Sequence, residues 1–249
     1  MSYVSDSEKN ALAAKLRLLT PRLTTYESQE LLKKFNFNLE KASFHLLSKK
    51  SASFDPLVPE INAVFNKYKD QEDPNDLGIE GTIAFVQDLG VDLEDPVTLA
   101  LAYKLYSPRL GSFPRSLFIL GWVELGASNI SAMRAKVKEL NVSLNHDPAF
   151  FKSVYQFTFS YNLTDGARVL PIDTAVEIWT LLLKDKFALF DKWITFTTDV
   201  YGKSVTRDTW NMILEFSIYA ASDPNLEQYD EEGAWPSVID EFVEYVKDL

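Results

Sequence analysis

Long windows of this chain repeat apolar residues at spacings of three and four, the period of a helix that turns one face inward. Nowhere do Val, Ile and Thr alternate for long enough to make a sheet, and glycine and proline are sparse, at nine and eleven in 249 residues. The pattern predicts an all-α chain. Three short helices open it between residues 7 and 50. Leu12, Leu16 and Leu19 form the first apolar stripe, Leu23-Thr24-Thr25 reads as a loop, and Tyr26 to Phe35 as the second helix. The segment Asn36 to Glu40 breaks the period, and Asn38 is placed to cap a third helix carrying Ala42, Phe44, Leu46 and Leu47.

Residues Ser48 to Ser53 are small and polar, which marks a linker and a domain boundary. From Pro56 on, helical windows follow one another: Ile61–Tyr68, Gly81–Leu89, Asp95–Tyr106, Ser116–Leu125, Ile130–Leu144, Ala149–Leu163, Thr174–Leu183, Leu189–Val200, Thr206–Ala221 and Pro236–Val246. Their connections are short, so residues 56 to 249 are expected to form one further domain. No repeat of fixed period stands out.

Two of the connections invite a metal test. Asp70 to Gly81 is rich in acids and glycine, yet no register supplies acidic ligands at loop positions 1, 3 and 5 together with a bidentate Glu at 12. In the second, placing Ile172 at the usual apolar position puts Asp165 at 1 but Ala167, Val169 and Val176 at 3, 5 and 12. Both segments have the spacing of helix–loop–helix calcium sites without the oxygen ligands, so no metal is expected.

Composition narrows the chemistry. Hydrophobic residues are 46% and charged residues 24%, the balance of a folded chain. The absence of cysteine removes disulfides, thiolate metal sites and any thioester relay. The two histidines, His45 and His146, are too far apart in sequence for a local ligand spacing, and no nucleophile elbow, phosphate loop or dinucleotide fingerprint occurs. His45 reads as a surface or half-buried ring, and His146 as solvated. With no leader-like run at Met1 to Asn10 and no apolar stretch of about 18 residues, the expected location is cytoplasm or nucleus, with no membrane contact.

Charge is uneven. Residues 1 to 50 hold nine Lys or Arg against five Asp or Glu, whereas the last 27 residues, Asp223 to Leu249, hold nine acids and one base, Lys247. An acidic surface repels nucleic acid and steers basic protein partners toward itself. In that closing stretch Pro236 can open a helix, with Ile239, Phe242, Val243 and Val246 on one face and Asp240, Glu241, Glu244 and Asp248 left for water or a partner.

The stretch Tyr229 to Tyr245, YDEEGAWPSVIDEFVEY, together with Asp208 to Phe216, DTWNMILEF, resembles the closing signature of the defective-in-cullin-neddylation family. Ala63 to Asp70 (AVFNKYKD), Leu77 to Gly81 (LGIEG) and Tyr155 to Phe159 (YQFTF) resemble its potentiating-neddylation domain, so the likeness covers about residues 56 to 249. The first unit, 7 to 50, resembles the ubiquitin-associated three-helix domain by helix pattern alone. The resemblance implies a three-helix bundle followed by a domain of two degenerate EF-hand-like units.

It also implies a non-catalytic scaffold, without cofactor. Such a scaffold binds the C-terminal region of a cullin and the N-terminally acetylated tail of the conjugating enzyme for a NEDD/Rub-type modifier. Residues matching the family's cullin-binding patch are Asp208, Ala234 and Asp240. Those matching its acetyl-methionine pocket are Ile79, Leu99, Phe113, Tyr161 and Leu181, with Thr82 and Thr98 standing where animal members carry larger apolar residues. For the first unit three readings stay open: it binds ubiquitin, the modifier, or nothing. The rival reading of the whole chain is a ubiquitin-binding adaptor without ligase-promoting activity.

Overall fold

A computed structural model describes residues 4–48, 54–230 and 233–248. The chain is all-α: the described residues form thirteen α-helices, one π-helical turn and a single pair of two-residue strands. It divides into two compact units, Met1–Leu144 and Asn145–Leu249.

In the first unit, α1 (Asp6–Leu19), α2 (Thr25–Lys34) and α3 (Leu39–Leu47) form a small bundle. Each start is set locally. Ser5 and Thr24 make reciprocal capping boxes with Glu8 and Glu27, and the Asn38 side chain accepts the Lys41 amide at 2.9 Å, as its position predicts. The Thr24 cap also starts the second helix at Thr25, one residue inside the predicted loop. Ala13, Leu16, Leu32 and Ala42 are the bundle's fully buried centre. Of the predicted linker only Ser48 falls within the described residues.

The remainder of this unit comprises α4 (Val58–Tyr68), α5 (Gly78–Asp88), α6 (Val97–Lys104), α7 (Arg115–Leu125) and α8 (Ile130–His146), the last reaching the boundary. Helix α6 ends before the predicted Tyr106, because Tyr106 takes a left-handed backbone at φ 55°. The α4–α5 and α6–α7 loops are tied together. The Arg115 amide donates to the Asn75 carbonyl at 2.7 Å, its guanidinium to the Pro74 carbonyl at 2.6 Å, and the Phe113 amide to Asp76 Oδ1 at 2.7 Å. Within the first loop, Asp70 accepts the amides of Glu72 and Asp73 at 2.7 and 2.8 Å, and Asp73 accepts that of Asn75 at 3.0 Å. The carboxylates of this loop are thus engaged in folding it.

In the second unit a short strand ladder ties two loops. Its elements are α9 (Pro148–Tyr161), β1 (Val169–Leu170), α10 (Ile172–Leu183), α11 (Phe190–Thr195) running into a π-helical turn (Phe196–Tyr201), β2 (Val205–Thr206), α12 (Arg207–Ser222) and α13 (Ser237–Lys247). The α9–α10 loop and the loop entering α12 pair as an antiparallel ladder, Val169 with Thr206 and Leu170 with Val205. The predicted Leu189–Val200 helix widens to π geometry where Thr197 and Thr198 donate their hydroxyls to the Trp193 and Ile194 carbonyls at 2.8 and 2.9 Å. Such back-bonding competes with the regular ladder. Among the described residues no single helix is long and apolar enough to cross a membrane.

Candidate functional site: the acidic face of the second unit

Three aromatic residues set the position of α12. Trp210 stacks on Tyr155 at 4.7 Å and on Trp179 at 5.5 Å between ring centres. Their polar atoms close a circuit: the Trp179 indole N–H donates to Tyr155 Oη at 3.0 Å, Tyr155 Oη donates to the Trp210 carbonyl at 2.9 Å, and the Trp210 indole N–H donates to the Tyr155 carbonyl at 2.9 Å. Burial pushes the Tyr155 phenol far above its ordinary pKa, so it stays a neutral donor. Buried polar groups that are all satisfied hold one geometry rather than several.

Asp208 sits two residues before this anchor. Thr206 caps the helix by accepting the Thr209 amide at 3.1 Å, Thr209 and Trp210 turn inward, and Arg207 and Asp208 are left exposed. The carboxylate stands in the first turn, where the helix dipole favours a negative charge. No hydrogen bond or ion pair engages it among the described residues, so it is free for a partner.

Asp240 is placed by the far end of the same helix. Phe216 and Tyr219 receive Trp235 at 5.6 and 6.0 Å and Tyr229 at 6.3 Å each. Tyr229 then donates its hydroxyl to Asp240 Oδ1 at 2.5 Å, leaving Asp240 half-buried in the first turn of α13. The loop leading to Tyr229 is held by Asp223, which accepts the amides of Gln228 and Glu227 at 2.8 and 3.1 Å. Those bonds, the Gln228 amide first, hold the Asp223 carboxyl below the usual range. Ala234 is exposed beside the docked Trp235, and Glu231 and Glu232 of the same segment lie outside the described residues.

Helix α13 buries Ile239, Phe242 and Val243 and exposes Glu241, Glu244 and Asp248 as its spacing predicts, whereas Val246, predicted inward, and Asp240, predicted outward, are both half-buried. Phe242 meets Trp193, Phe196 and Phe216 at 5.1, 5.5 and 5.9 Å. Two of the three predicted patch residues, Ala234 and Asp240, are therefore gathered around the C-terminal half of α12. Asp208 opens that helix, about 12 Å along the axis from Phe216 at 1.5 Å per residue.

The five residues matched to an acetyl-methionine pocket are divided between the units. Ile79, Leu99 and Phe113 belong to the first, Tyr161 and Leu181 to the second. Leu99, Phe113 and Tyr161 are buried, Leu181 is half-buried, and Ile79 is 69% exposed. Ile79 lies against Gly111, where an added Cβ would meet its Cγ1 at 2.9 Å, and Asp76 ties Phe113 to the start of the same helix, α5. Thr98 donates its hydroxyl to the Asp95 carbonyl at 2.8 Å, whereas the buried Thr82 hydroxyl has no hydrogen-bond partner among the described residues.

Neither histidine forms a site. His45 is half-buried with its ring 5.1 Å from that of Phe35, and His146 is exposed. Among the described residues no group of three His, Asp or Glu side chains is arranged to hold a metal ion.

Comparison with known proteins gives the family of the chain. The profile of the Cullin binding family matches residues 132–245, a span that contains Asp208, Ala234 and Asp240. The chain is 40% identical over 221 residues to "Defective in cullin neddylation protein 1" of Yarrowia lipolytica, covering 89% of this chain and 90% of that protein. It is 35% identical over 185 residues to "DCN1-like protein 4" of Drosophila melanogaster, covering 74% and 73%. It is 31% identical over 202 residues to the Saccharomyces cerevisiae "Defective in cullin neddylation protein 1", covering 78% and 74%.

Proposed function

Since this chain belongs to the defective in cullin neddylation family, we propose that it promotes the attachment of a NEDD/Rub-type modifier to cullins as a non-catalytic co-ligase. The observation that carries this reading is the Cullin binding match over residues 132–245, enclosing an acidic surface whose carboxylates are held on a rigid aromatic frame. Asp208, Ala234 and Asp240 would receive a basic surface of the cullin C-terminal domain. A carboxylate already held, as Asp240 is by Tyr229, loses little freedom on binding, and complementary charge raises the rate of encounter.

The second partner in this reading is the conjugating enzyme, through its acetylated N-terminus. Acetylation removes an ammonium whose burial would be costly, and the matched residues Ile79, Leu99, Phe113, Tyr161 and Leu181 include no acid to pair with one. Holding acceptor and enzyme together converts a bimolecular encounter into an effectively intramolecular one, so no residue of this chain needs to titrate. The test is reconstituted cullin modification with and without the protein. Faster modification is expected, and equal rates overturn the proposal.

A further inference from the structure

Helices α3 and α4 both pack on α7, and a cavity of about 400 Å³ lies where the three meet. Its walls are Phe44 and Leu47 of α3, Val58 of α4 and Ile119 of α7. Val58 and Ile119 are only 6% and 2% exposed, whereas Phe44 is 49% exposed. The floor is therefore dry while the Phe44 rim faces solvent, so a ligand can enter with every helix where it stands. A concave, mostly apolar site of this size suits one or two side chains of a ligand rather than a broad surface.

Among the described residues that line it, Arg115 alone carries a charge. Its guanidinium donates to Asn62 Oδ1 at 2.6 Å, to Asn66 Oδ1 at 2.8 Å and to the Pro74 carbonyl at 2.6 Å, and lies 4.4 Å from the centre of the Phe65 ring. All of those acceptors are neutral. Among the described residues no carboxylate makes an ion pair with Arg115. Asp76, in the loop that Arg115 ties, is taken up by the Gly78 and Phe113 amides and the Ser112 hydroxyl. Burial pushes the Arg115 guanidinium down, as it does a cation that no anion compensates. Arg115 is also the first residue of α7, where the helix dipole adds to the positive potential. Three of its five N–H groups are engaged, which leaves two for an anion.

We propose that this cavity takes the C-terminal end of a partner polypeptide that finishes on a large apolar residue, its side chain between Phe44 and Ile119 and its carboxylate on Arg115. A single cation in the lining matches a single negative charge, a carboxylate rather than a phosphate dianion. The cation and the apolar walls share one small space, so the ligand must bring its charge and its apolar group together. A chain terminus does so, because the carboxylate is bonded to the Cα that bears the apolar side chain. An internal acid carries its charge on a side chain of its own, and successive side chains of an extended segment point apart. Asn62 accepts from Arg115 through Oδ1 and presents its amide N–H groups to the peptide's last carbonyl. Capture of a terminal carboxylate is a recurrent way of recognising a peptide.

The test is a methyl NMR titration of the full chain with acetyl-seryl-leucyl-phenylalanine, with the same peptide ending in a carboxamide, and with decanoate. The free-acid peptide should shift the Leu47, Val58 and Ile119 methyls with a dissociation constant on the order of 1 mM or tighter. The carboxamide should bind at least about tenfold more weakly, having lost a charge-assisted hydrogen bond. Arg115→Gln should remove that difference, and Phe44→Ala should weaken both peptides alike. Because Arg115 also ties the Pro74 loop, Phe44→Glu gives a second reading. A like charge at the exposed rim should weaken the acid more than the carboxamide. No shift at these methyls, equal affinity of acid and carboxamide, equal weakening of the two by Phe44→Glu, or tighter binding of decanoate than of the peptide would each overturn the assignment.

Discussion

Asp240 has two roles in this account, one in folding and one in recognition, and a single substitution separates them. Its Oδ1 accepts the Tyr229 hydroxyl at 2.5 Å, and Tyr229 is 8% exposed. Asp240→Asn keeps an acceptor in that place and removes only the charge. The folding cost should be small, below about 1 kcal/mol, since a hydrogen bond to a charged group exceeds a neutral one by roughly that amount. Asp240→Ala leaves the Tyr229 hydroxyl without its acceptor and should cost about 1–3 kcal/mol. Tyr229→Phe deletes the donor and should lie between the two. If Asp240 meets a basic residue of the cullin, both Asp240 variants should weaken that complex by at least about tenfold, or roughly 1.4 kcal/mol. Tyr229→Phe, which keeps the charge, should weaken it less. Urea unfolding and calorimetric titration with a cullin C-terminal domain supply the two axes. Asp240→Asn that binds as tightly as the unchanged protein would refute the charge argument, however stable the fold.

Asp208→Asn should change stability by no more than about 1 kcal/mol, the worth of a helix-dipole contact, yet weaken cullin binding; Asp208→Lys with Asp240→Lys should abolish binding while circular dichroism stays helical. Gly81 sits in α5 where an added Cβ would fall 2.0 Å from the Tyr68 carbonyl oxygen. Gly81→Ala should therefore lower the thermal midpoint by an overpacking cost of about 1–3 kcal/mol. Deleting residues 1–50 should lower the midpoint too, by uncovering the face of α7 under α1 and α3, while cullin modification per folded molecule stays unchanged. An acetylated conjugating-enzyme tail peptide should bind at least about a hundredfold more tightly than its free-amine twin, because an unpaired buried charge costs several kcal/mol. Equal affinities in calorimetry would remove the pocket from the account.

What the sequence made legible was what a few neighbouring residues decide. The Asn38 cap and the inward face of α13 both follow from spacing within a dozen positions. Features set by distant partners could not be read that way. The β1–β2 ladder is two residues long, too short for alternation to show, and pairs segments more than thirty residues apart. Tyr106, just past the end of α6, takes a positive φ and meets Lys15 and Glu124, neither of them a neighbour in sequence. Asp240 reads as solvent-facing on a helical wheel, but Tyr229 returns to cover it.

One longer-range demand was nonetheless written in the chain. The run Ser116 to Val123, SLFILGWV, is apolar nearly all round the helix, and every one of those eight residues is buried in α7. A helix apolar on every side must be covered on every side. Helix α4 packs on α7 from one direction, and α1 and α3 supply cover from another. The small polar residues after Leu47 mark a boundary in the sequence, and they carry no information about what the bundle rests on. The circumference of α7 does carry it. That makes the bundle's removal a perturbation of α7 itself, and it is why deleting residues 1–50 should lower the thermal midpoint.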